Sequence, residues 1–439
     1  MRVRFTTASA AFGQIGAVEW RRRARLRIGH GVVLVTLLAG MLPSWPIGAA
    51  MSAHAQPAAQ SGKEAVIIEV KPGNNPQAVA RALGVLPTHV YSEVFLGFAV
   101  ELPAAAVRAA ERQPGVAGIW PDLPVEAFGE TVPTGVRRID AQNEWADITG
   151  DGIDADVAVL DTGIDTGNPD LKVVDGVDCS GKDTGNWKDG DGHGTHVAGT
   201  IAAKDNEIGV AGVAPGARLW AVKVLNDAGS GSRSTILCGL EWVYGHRNKI
   251  DVVNLSLGGS ANQADQESCT KATSPLHKAV CKLVNDGEVS VVVAAGNEDT
   301  DAGKTVPATY PEVITVSAFK DFNGEPGGGD SQGCRYRGDD TWAGFSNYGK
   351  DVDIAAPGVC ILSTWPGGGT QTLSGTSMAT PHVTGAVALY IAKGSGADTP
   401  KAVRAWLLSD KASQPQNSEF GFKGDPDTYR ERVLYLLGP

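Results

Sequence analysis

Beyond residue 150, short apolar runs alternate with segments that have the residue pattern of helices. The runs are continuously rich in Val, Ile and Leu, which is typical of strands buried on both faces. The predicted strands are DADVAVLD, RLWAVKVL, DVVNLSL, VSVVVAAGN, VITVSAF and DVDIAAP, and the predicted helices lie near HGTHVAGTIAA, SRSTILCGLEWVYGHR, PLHKAVCKLVND, MATPHVTGAVALYIA and TPKAVRAWLL. This alternation predicts an α/β fold with a doubly wound parallel sheet, whose functional site lies at the carboxyl ends of the strands.

A smaller unit precedes this region. Residues 63–122 follow the order strand, helix, strand, strand, helix, strand, from EAVIIEV to VAGIWPD. This order is the split βαβ pattern. It predicts a small α+β domain of the ferredoxin-like type ahead of the α/β domain.

The amino end has the three regions of a secretory signal peptide. Its first 30 residues carry seven arginines and one acid, and the apolar run GVVLVTLLAGML and the small-residue stretch AAMSAHAQ follow. The apolar run is shorter than the ~20 residues that a membrane span requires. We therefore expect residues 1–55 to be removed, with cleavage after Ala55, and the mature protein to be secreted and free of the membrane. Paired arginines leave a twin-arginine export route open, and a true start site further downstream also remains open.

The rest of the chain is acidic. Without residues 1–55 it keeps 31 Lys and Arg against 48 Asp and Glu. Such a charge balance argues against nucleic acid as a partner and suits a soluble exported protein, which we expect to be a monomer.

The six cysteines predict disulfides, because their number is even and the protein is expected to be exported. Six thiols allow 15 pairings. The short spacing favours Cys269 with Cys281, then Cys334 with Cys360, which leaves Cys179 with Cys238. No Cys or His spacing suggests zinc.

Three residues at predicted strand ends and helix starts could form a nucleophilic site. Asp161 ends VAVLD, His193 opens HGTHVAGT after a glycine turn, and Ser377 starts the helix after SGT. Together they supply an acid, a base and a hydroxyl nucleophile. Each residue alone has a structural alternative, as a turn former, a structural histidine or a helix cap.

Four blocks in the chain decide between these alternatives. VAVLDTGID, DGHGTHVAGT, VVVAAGN and SGTSMATPHVTG, in this order within roughly residues 131–395, resemble the signature blocks of the subtilisin family of serine endopeptidases. The resemblance implies a subtilisin-like fold and protein or peptide substrates. It assigns Asp161 as the orienting acid, His193 as the general base and Ser377 as the nucleophile. It also implies that residues 56–128 are an inhibitory propeptide, which is the protein's own intramolecular inhibitor, and that residues 129–439 are the peptidase domain.

The neighbouring histidines were tested as alternative bases. His382 follows Ser377 by five residues, which places the two side chains on different faces of a helix. Pro381 lacks a backbone donor, so the helix should begin near Ser377, whose own N–H then faces outward at the positive end of the helix dipole. His196 shares a face with His193, and geometry alone does not choose between them. The resemblance places the base at His193 and leaves His196 as structural.

The resemblance also implies the parts of the site that bind substrate. Asn297, at the end of VSVVVAAGN, matches the family's side-chain donor to the oxyanion. A peptide would lie extended between two runs, which implies broad specificity because backbone pairing does not read side chains. These runs supply Ser256, Leu257 and Gly258, and Ala294, Ala295 and Gly296.

Alignment with the family's mature amino end places a self-cleavage junction at Phe128/Gly129. The segment VEAF would then occupy the enzyme's own cleft. A large apolar or aromatic residue at P1 is therefore expected, with room provided by the small residues of AAG.

A structural calcium site is a further expectation from the resemblance. The candidate ligands, by side chain or carbonyl, are Glu130, Asp170, Lys204, Asn206, Ile208 and Val210. Hard oxygen ligands at six or more positions suit Ca²⁺, whereas the alternative is an ordinary surface turn.

The sequence disfavours two other functions. An α/β-hydrolase requires G-x-S-x-G and a different chain order of the catalytic residues. A catalytically inactive secreted binding protein on the same scaffold would require a damaged catalytic set, and all four blocks are intact.

Overall fold

The structure is a computed structural model. It describes residues 63–122, 129–145, 152–181, 185–262, 265, 267–328, 332–394 and 397–437. The expected signal peptide and Phe128 of the expected junction lie outside these ranges. The chain divides into two compact units, Met1–Pro124 and Val125–Pro439. None of the helices in the described ranges has the length and apolarity that a membrane span requires.

The first unit has the split βαβ order that the sequence predicts. Its elements are β1 Lys63–Val70, α1 Pro76–Ala82, β2 His89–Tyr91, β3 Gly97–Pro103, α2 Ala104–Ala110 and β4 Val116–Pro121. The strands form an antiparallel sheet in the order β2-β3-β1-β4. Asn75 caps α1, because its side chain accepts the N–H groups of Gln77 and Ala78. Ile68 and Phe98 pair across β1 and β3 in the core, and both are fully buried.

The second unit is an α/β domain. Its helices are α3 Thr134–Arg138, α4 His193–Ala202, α5 Arg233–Gly245, α6 Pro275–Asn285, α7 Thr376–Ala392 and α8 Pro400–Leu407. Its strands are β5 Asp156–Asp161, β6 Val173–Asp178, β7 Arg218–Lys223, β8 Val252–Leu255, β9 Gly259–Ser260, β10 Ser290–Ala294, β11 Thr305–Val306, β12 Ile314–Lys320, β13 Gln332–Gly333, β14 Tyr336–Arg337, β15 Thr341–Trp342, β16 Ile354–Pro357, β17 Ile361–Trp365, β18 Gly369–Leu373, β19 Ser413–Pro415 and β20 Arg432–Leu434.

The main sheet has the order β19-β20-β16-β12-β10-β8-β5-β7-β6. The six predicted strands form its centre and pair in parallel, which confirms the predicted fold class. The sheet is not wholly parallel, however, since β19 and β15 pair antiparallel with β20 and β12. The sequence analysis also missed β6, whose VVDGVD is only partly apolar because the strand lies at an edge.

Alternate residues of the central strands enter two separate cores. Val157 and Val159 of β5 face the side covered by α4 and α7, whereas Ala158 and Leu160 face the side covered by α5 and α6. Strands that are buried on both faces must be apolar at every position. The continuous runs in the sequence therefore follow directly from this packing.

Helix α7 lies almost entirely inside the protein. All of its residues except Ser377, Ile391 and Ala392 are buried. It begins at Thr376, which confirms the start expected from Pro381.

Three disulfides join Cys179 to Cys238, Cys269 to Cys281 and Cys334 to Cys360, as the spacing favours. The last two pin the polar insertions that carry Cys269 and Cys334. The last part of the chain, after Ala412, packs on the domain and adds β19 and β20 to the sheet.

Candidate active site

The candidate site lies where the strand order of the sheet reverses. From β5, the chain builds β7 and β6 on one side and β8, β10 and β12 on the other. Crevices form at such switch points, at the carboxyl ends of the strands. Asp161 ends β5, Ser256 follows β8 and Asn297 follows β10, so the fold brings three predicted site residues to this edge.

Two adjoining cavities open at this edge. One, of about 540 Å³, is lined by His193 and by residues 256–259, and the other, of about 450 Å³, is lined by Asn297, Ser377 and residues 257–260. The shared run Leu257–Gly259 borders both cavities. An extended ligand along this run would therefore reach His193 on one side and Ser377 on the other.

Asp161 holds the ring of His193. Its Oδ1 lies 2.8 Å from Nδ1 of His193 and also accepts the N–H of Thr162 at 2.7 Å. The Asp161 carboxylate is fully buried, whereas 26% of the His193 side chain is exposed. With Nδ1 donating to Asp161, Nε2 of His193 is left as the acceptor.

Nearby carboxylates also shift the pKa of His193. Burial lowers the pKa of His193, but the charges of Asp161, Asp191 and Asp189 oppose this effect, and the net pKa is raised. Asp161 contributes most of this increase because it also accepts the hydrogen bond from the ring.

The buried carboxylate of Asp189 organises the turn that carries His193. Its Oδ1 accepts from the Thr162 hydroxyl at 2.9 Å and from the N–H groups of Asp191 and Gly192 at 3.0 and 2.8 Å. Its Oδ2 accepts from N and Oγ1 of Thr195 at 2.9 and 2.6 Å. Asp189 therefore ties the end of β5 to the start of α4, and the sequence analysis missed this role.

Ser377 is the second residue of α7 and is half-buried. Its Oγ donates to the carbonyl of Ser256 at 3.1 Å. Among the described residues, no hydrogen bond joins Ser377 to His193. Ser377 and His193 both lie beside the run Leu257–Gly259. The hydroxyl of Ser377 points toward Ser256, at the end of β8.

The side-chain amide of Asn297 is held in one orientation. Its Oδ1 accepts from the backbone N–H of Thr376 at 2.8 Å and from the Thr376 hydroxyl at 3.0 Å. A backbone N–H only donates, so this contact identifies the oxygen and directs Nδ2 away from Thr376. Nδ2 is therefore left as the donor end of the amide, at the cavity that Asn297 and Ser377 both line.

The other predicted substrate residues differ in their exposure. Leu257, Gly258, Ala294 and Gly296 line the second cavity. Ala295 does not, because its side chain is fully buried with Ala302 and Val352. The place of Ala295 in the predicted substrate run stays a prediction that concerns its backbone, since successive side chains of an extended chain point to opposite faces.

His196 and His382 are structural, as expected. His196 is fully buried and its Nε2 lies 3.0 Å from the Ile361 carbonyl, while Nδ1 of His382 lies 2.9 Å from the Met378 carbonyl. Burial lowers the pKa of each histidine to about 4.

The predicted calcium ligands lie around one loop. Oε2 of Glu130 accepts the N–H groups of Asn206 and Glu207 at 3.0 and 2.8 Å, and Oδ2 of Asp170 accepts the N–H of Val210 at 3.1 Å. The second oxygens, Oε1 of Glu130 and Oδ1 of Asp170, are buried without a hydrogen-bond partner among the described residues. Burial raises the pKa of both carboxyl groups. Two such buried oxygens fit a bound cation.

The geometry agrees with comparisons to known proteins. Residues 152–423 match the Subtilase family of peptidases. Subtilisin NAT of Bacillus subtilis subsp. natto is 40% identical over 299 residues, which cover 67% of this chain and 70% of that protein. The alkaline protease of Alkalihalobacillus alcalophilus is 43% identical over 292 residues, which cover 66% of this chain and 67% of that protein. The crystal structure of a cold adapted subtilisin-like serine proteinase matches with a TM-score of 0.53 and 31% identity, covering 70% of this chain and 99% of that chain.

The fold and these similarities define a serine endopeptidase of the α/β type. The chain belongs to the subtilase family.

Proposed function

We propose that the protein is a secreted, self-processing peptidase that cuts peptide bonds through an acyl-enzyme on Ser377. The observation that carries this proposal is the 2.8 Å contact between buried Asp161 and Nδ1 of His193 at the sheet's switch point. Ser377 stands across the run Leu257–Gly259 from this pair. The set supplies a nucleophile, a base and an acid that orients the base.

In the proposed reaction, the hydroxyl proton of Ser377 passes to Nε2 of His193 as Oγ attacks the substrate carbonyl. The hydroxyl must give up its bond to the Ser256 carbonyl for this step. Asp161 stabilises the imidazolium that forms, and the imidazolium then protonates the leaving amine. Nδ2 of Asn297 and the N–H of Ser377 donate to the oxyanion. Water next takes the place of the amine, and His193 acts again as base to release the acid.

Substrate would lie along Ser256–Gly258 and Ala294–Gly296 in an extended conformation. Pairing to main-chain groups gives broad specificity. A large apolar P1 side chain is favoured because the second cavity is bordered by Ala294 and glycines. The expected readout is a higher kcat/KM for aromatic than for acidic or basic P1 residues in a matched peptide series.

The Ser377→Ala variant tests the catalytic proposal. The parent chain should hydrolyse casein and label at Ser377 with an active-site serine reagent, and the variant should do neither. Ser363→Ala is a matched control, since Ser363 is a buried serine in β17 whose hydroxyl binds the His196 carbonyl. Persistent hydrolysis by Ser377→Ala contradicts the proposal. Failure of the parent to hydrolyse or to label would favour an inactive binding protein instead.

The amino-terminal unit is proposed as an inhibitory propeptide that the enzyme removes at Phe128/Gly129. The support is its compact split βαβ fold and the position of the unit boundary, after Pro124. Amino-terminal sequencing of the secreted protein should begin at Gly129. A start far from Gly129, or release of the unit from Ser377→Ala, is the contrary result.

Calcium is proposed as a structural ion held by Glu130, Asp170 and the loop 204–210. The buried Oε1 of Glu130 and Oδ1 of Asp170, which lack a hydrogen-bond partner within the described part of the chain, support this. Removing a ligand present at about 100 times its Kd costs about 3 kcal/mol, so a chelator should lower the Tm of the parent. It should not lower the Tm of Asp170→Asn, which has already lost the site. An unchanged parental Tm counts against the ion.

A further inference from the structure

Helix α7 contains a proline five residues from its start. In an α-helix, the N–H of each residue donates to the carbonyl four residues earlier. Pro381 has no N–H, so the carbonyl of Ser377 lacks the donor that a residue four positions later would normally supply. The first turn of α7 is thus left without one of the bonds that would fix the backbone of Ser377.

The side chain of Ser256 supplies the missing donor. Its Oγ lies 2.8 Å from the carbonyl oxygen of Ser377, and only 3% of Ser256 is exposed. In the opposite direction, Oγ of Ser377 donates to the Ser256 carbonyl at 3.1 Å. Two reciprocal bonds therefore join the nucleophile residue to the end of β8.

Asn254 orients the hydroxyl of Ser256. Nδ2 of Asn254 donates to Oγ of Ser256 at 2.9 Å, so this oxygen acts as acceptor there and its proton is free to point at Ser377. Oδ1 of Asn254 accepts from the Thr384 hydroxyl at 2.9 Å. Asn254 and Thr384 are fully buried, which excludes water as a competing partner.

We propose that the Ser256 side chain is a positioning residue for the nucleophile, because its hydroxyl takes the place of the N–H that Pro381 lacks. The inference rests on the proposed role of Ser377. It concerns the side chain of Ser256, whereas peptide binding would use the backbone of the same run. The bond anchors the first turn of α7 to the sheet instead of to the second turn of the helix.

A double-mutant cycle between positions 256 and 381 tests this. Ser256→Ala should lower kcat about tenfold and leave KM within about twofold, since the lost bond positions Ser377 without touching substrate. Pro381→Ala restores an N–H that can donate to the Ser377 carbonyl. In the Pro381→Ala background, Ser256→Ala should lower kcat by less than about threefold. Ser256→Thr keeps a hydroxyl and should retain most of the parental kcat.

Ser413→Ala is the matched control. Ser413 is also fully buried, and its hydroxyl donates to a helix carbonyl, that of Leu407, at 2.6 Å. It lies on β19, at the far edge of the sheet. Its loss should reduce stability with kcat per titrated site within about twofold of the parent.

The same double-mutant cycle can be measured by the denaturant midpoint of unfolding, which does not require activity. Ser256→Ala should lower the midpoint more in the parent chain than in the Pro381→Ala background. The proposal is overturned if Ser256→Ala lowers kcat and the midpoint by the same amount in the parent and in Pro381→Ala. If the parent is inactive but Ser256→Ala lowers its midpoint more than it lowers that of Pro381→Ala, the proposed function is refuted. The bond between Ser256 and Ser377 is then still confirmed.

Discussion

The turn before α4 allows a test of how His193 is held in place. Asp189 and Asp191 lie two residues apart in this turn and carry the same charge, but they differ in burial and in hydrogen bonding. Asp189 is 3% exposed and accepts five hydrogen bonds, whereas Asp191 is exposed and accepts the N–H of His193 at 3.2 Å. Asp189→Asn keeps one carbonyl oxygen and replaces the other by an NH₂ group. Three bonds to Oδ1 can survive, while the two from Thr195 to Oδ2 are lost.

The two lost bonds determine how much stability Asp189→Asn should remove. Each hydrogen bond to a charged acceptor contributes about 1.5–3 kcal/mol, and the Thr195 hydroxyl can turn to accept from the new amide. We therefore expect Asp189→Asn to lower the free energy of unfolding by about 3 kcal/mol. For a domain of this size, the Tm should fall by about 6 °C. Because the turn carries His193, kcat/KM should also fall about tenfold to a hundredfold.

The assay compares Asp189→Asn with Asp191→Asn, which removes the same charge from the same turn. Unfolding is followed in Ser377→Ala chains to prevent autolysis, and kcat/KM is measured on active chains after titration of Ser377. Asp191→Asn should change stability by no more than about 0.5 kcal/mol, as exposed substitutions do. If the two variants have equal Tm and equal kcat/KM, Asp189 does not organise the turn.

Three other predictions follow from charges and cross-links. Asp191→Asn should move the acidic limb of kcat/KM to lower pH, because the Asp191 carboxylate raises the pKa of His193, and the shift should shrink at high salt. Burial raises the pKa of Asp321 to about 8, so its contribution to stability is greatest below about pH 4 and is lost as the pH rises to about 8. The Tm difference between Asp321→Asn and the parent should therefore become more positive over that range. Replacing both cysteines of Cys179–Cys238, which are 59 residues apart, should cost about 4 kcal/mol, against about 3 kcal/mol for Cys269–Cys281, which are 12 apart, as measured by chemical denaturation.

The sequence was sufficient for the centre of the fold because burial on two faces leaves a strong local pattern. Val157–Leu160 is apolar throughout for this reason. The edge strands β6 and β19 were not predicted because they are partly exposed, and β20, which lies between β19 and β16, was not predicted because it is only three residues long. Three residues of β19 carry no periodic signal.

The catalytic candidates were predictable because each stands inside a local block of turn and helix residues. The residues that support them were not. Asp189 resembles any acid in a glycine turn, and its partner Thr162 lies 27 residues earlier. Thr376 likewise has an ordinary position at a helix start, and its bond to Asn297 spans 79 residues. Such contacts exist only after the sheet has formed.

The burial of α7 has a consequence for when activity arises. This helix is buried nearly all round, and Ser377 contacts Ser256 across 121 residues of chain. A chain made from its amino end therefore acquires Asp161 and His193 long before Ser377, the proposed nucleophile, can dock. Contacts at such long range form late, after the entropy of closing the chain has been overcome. The order of synthesis itself thus delays proteolysis until the domain is essentially complete.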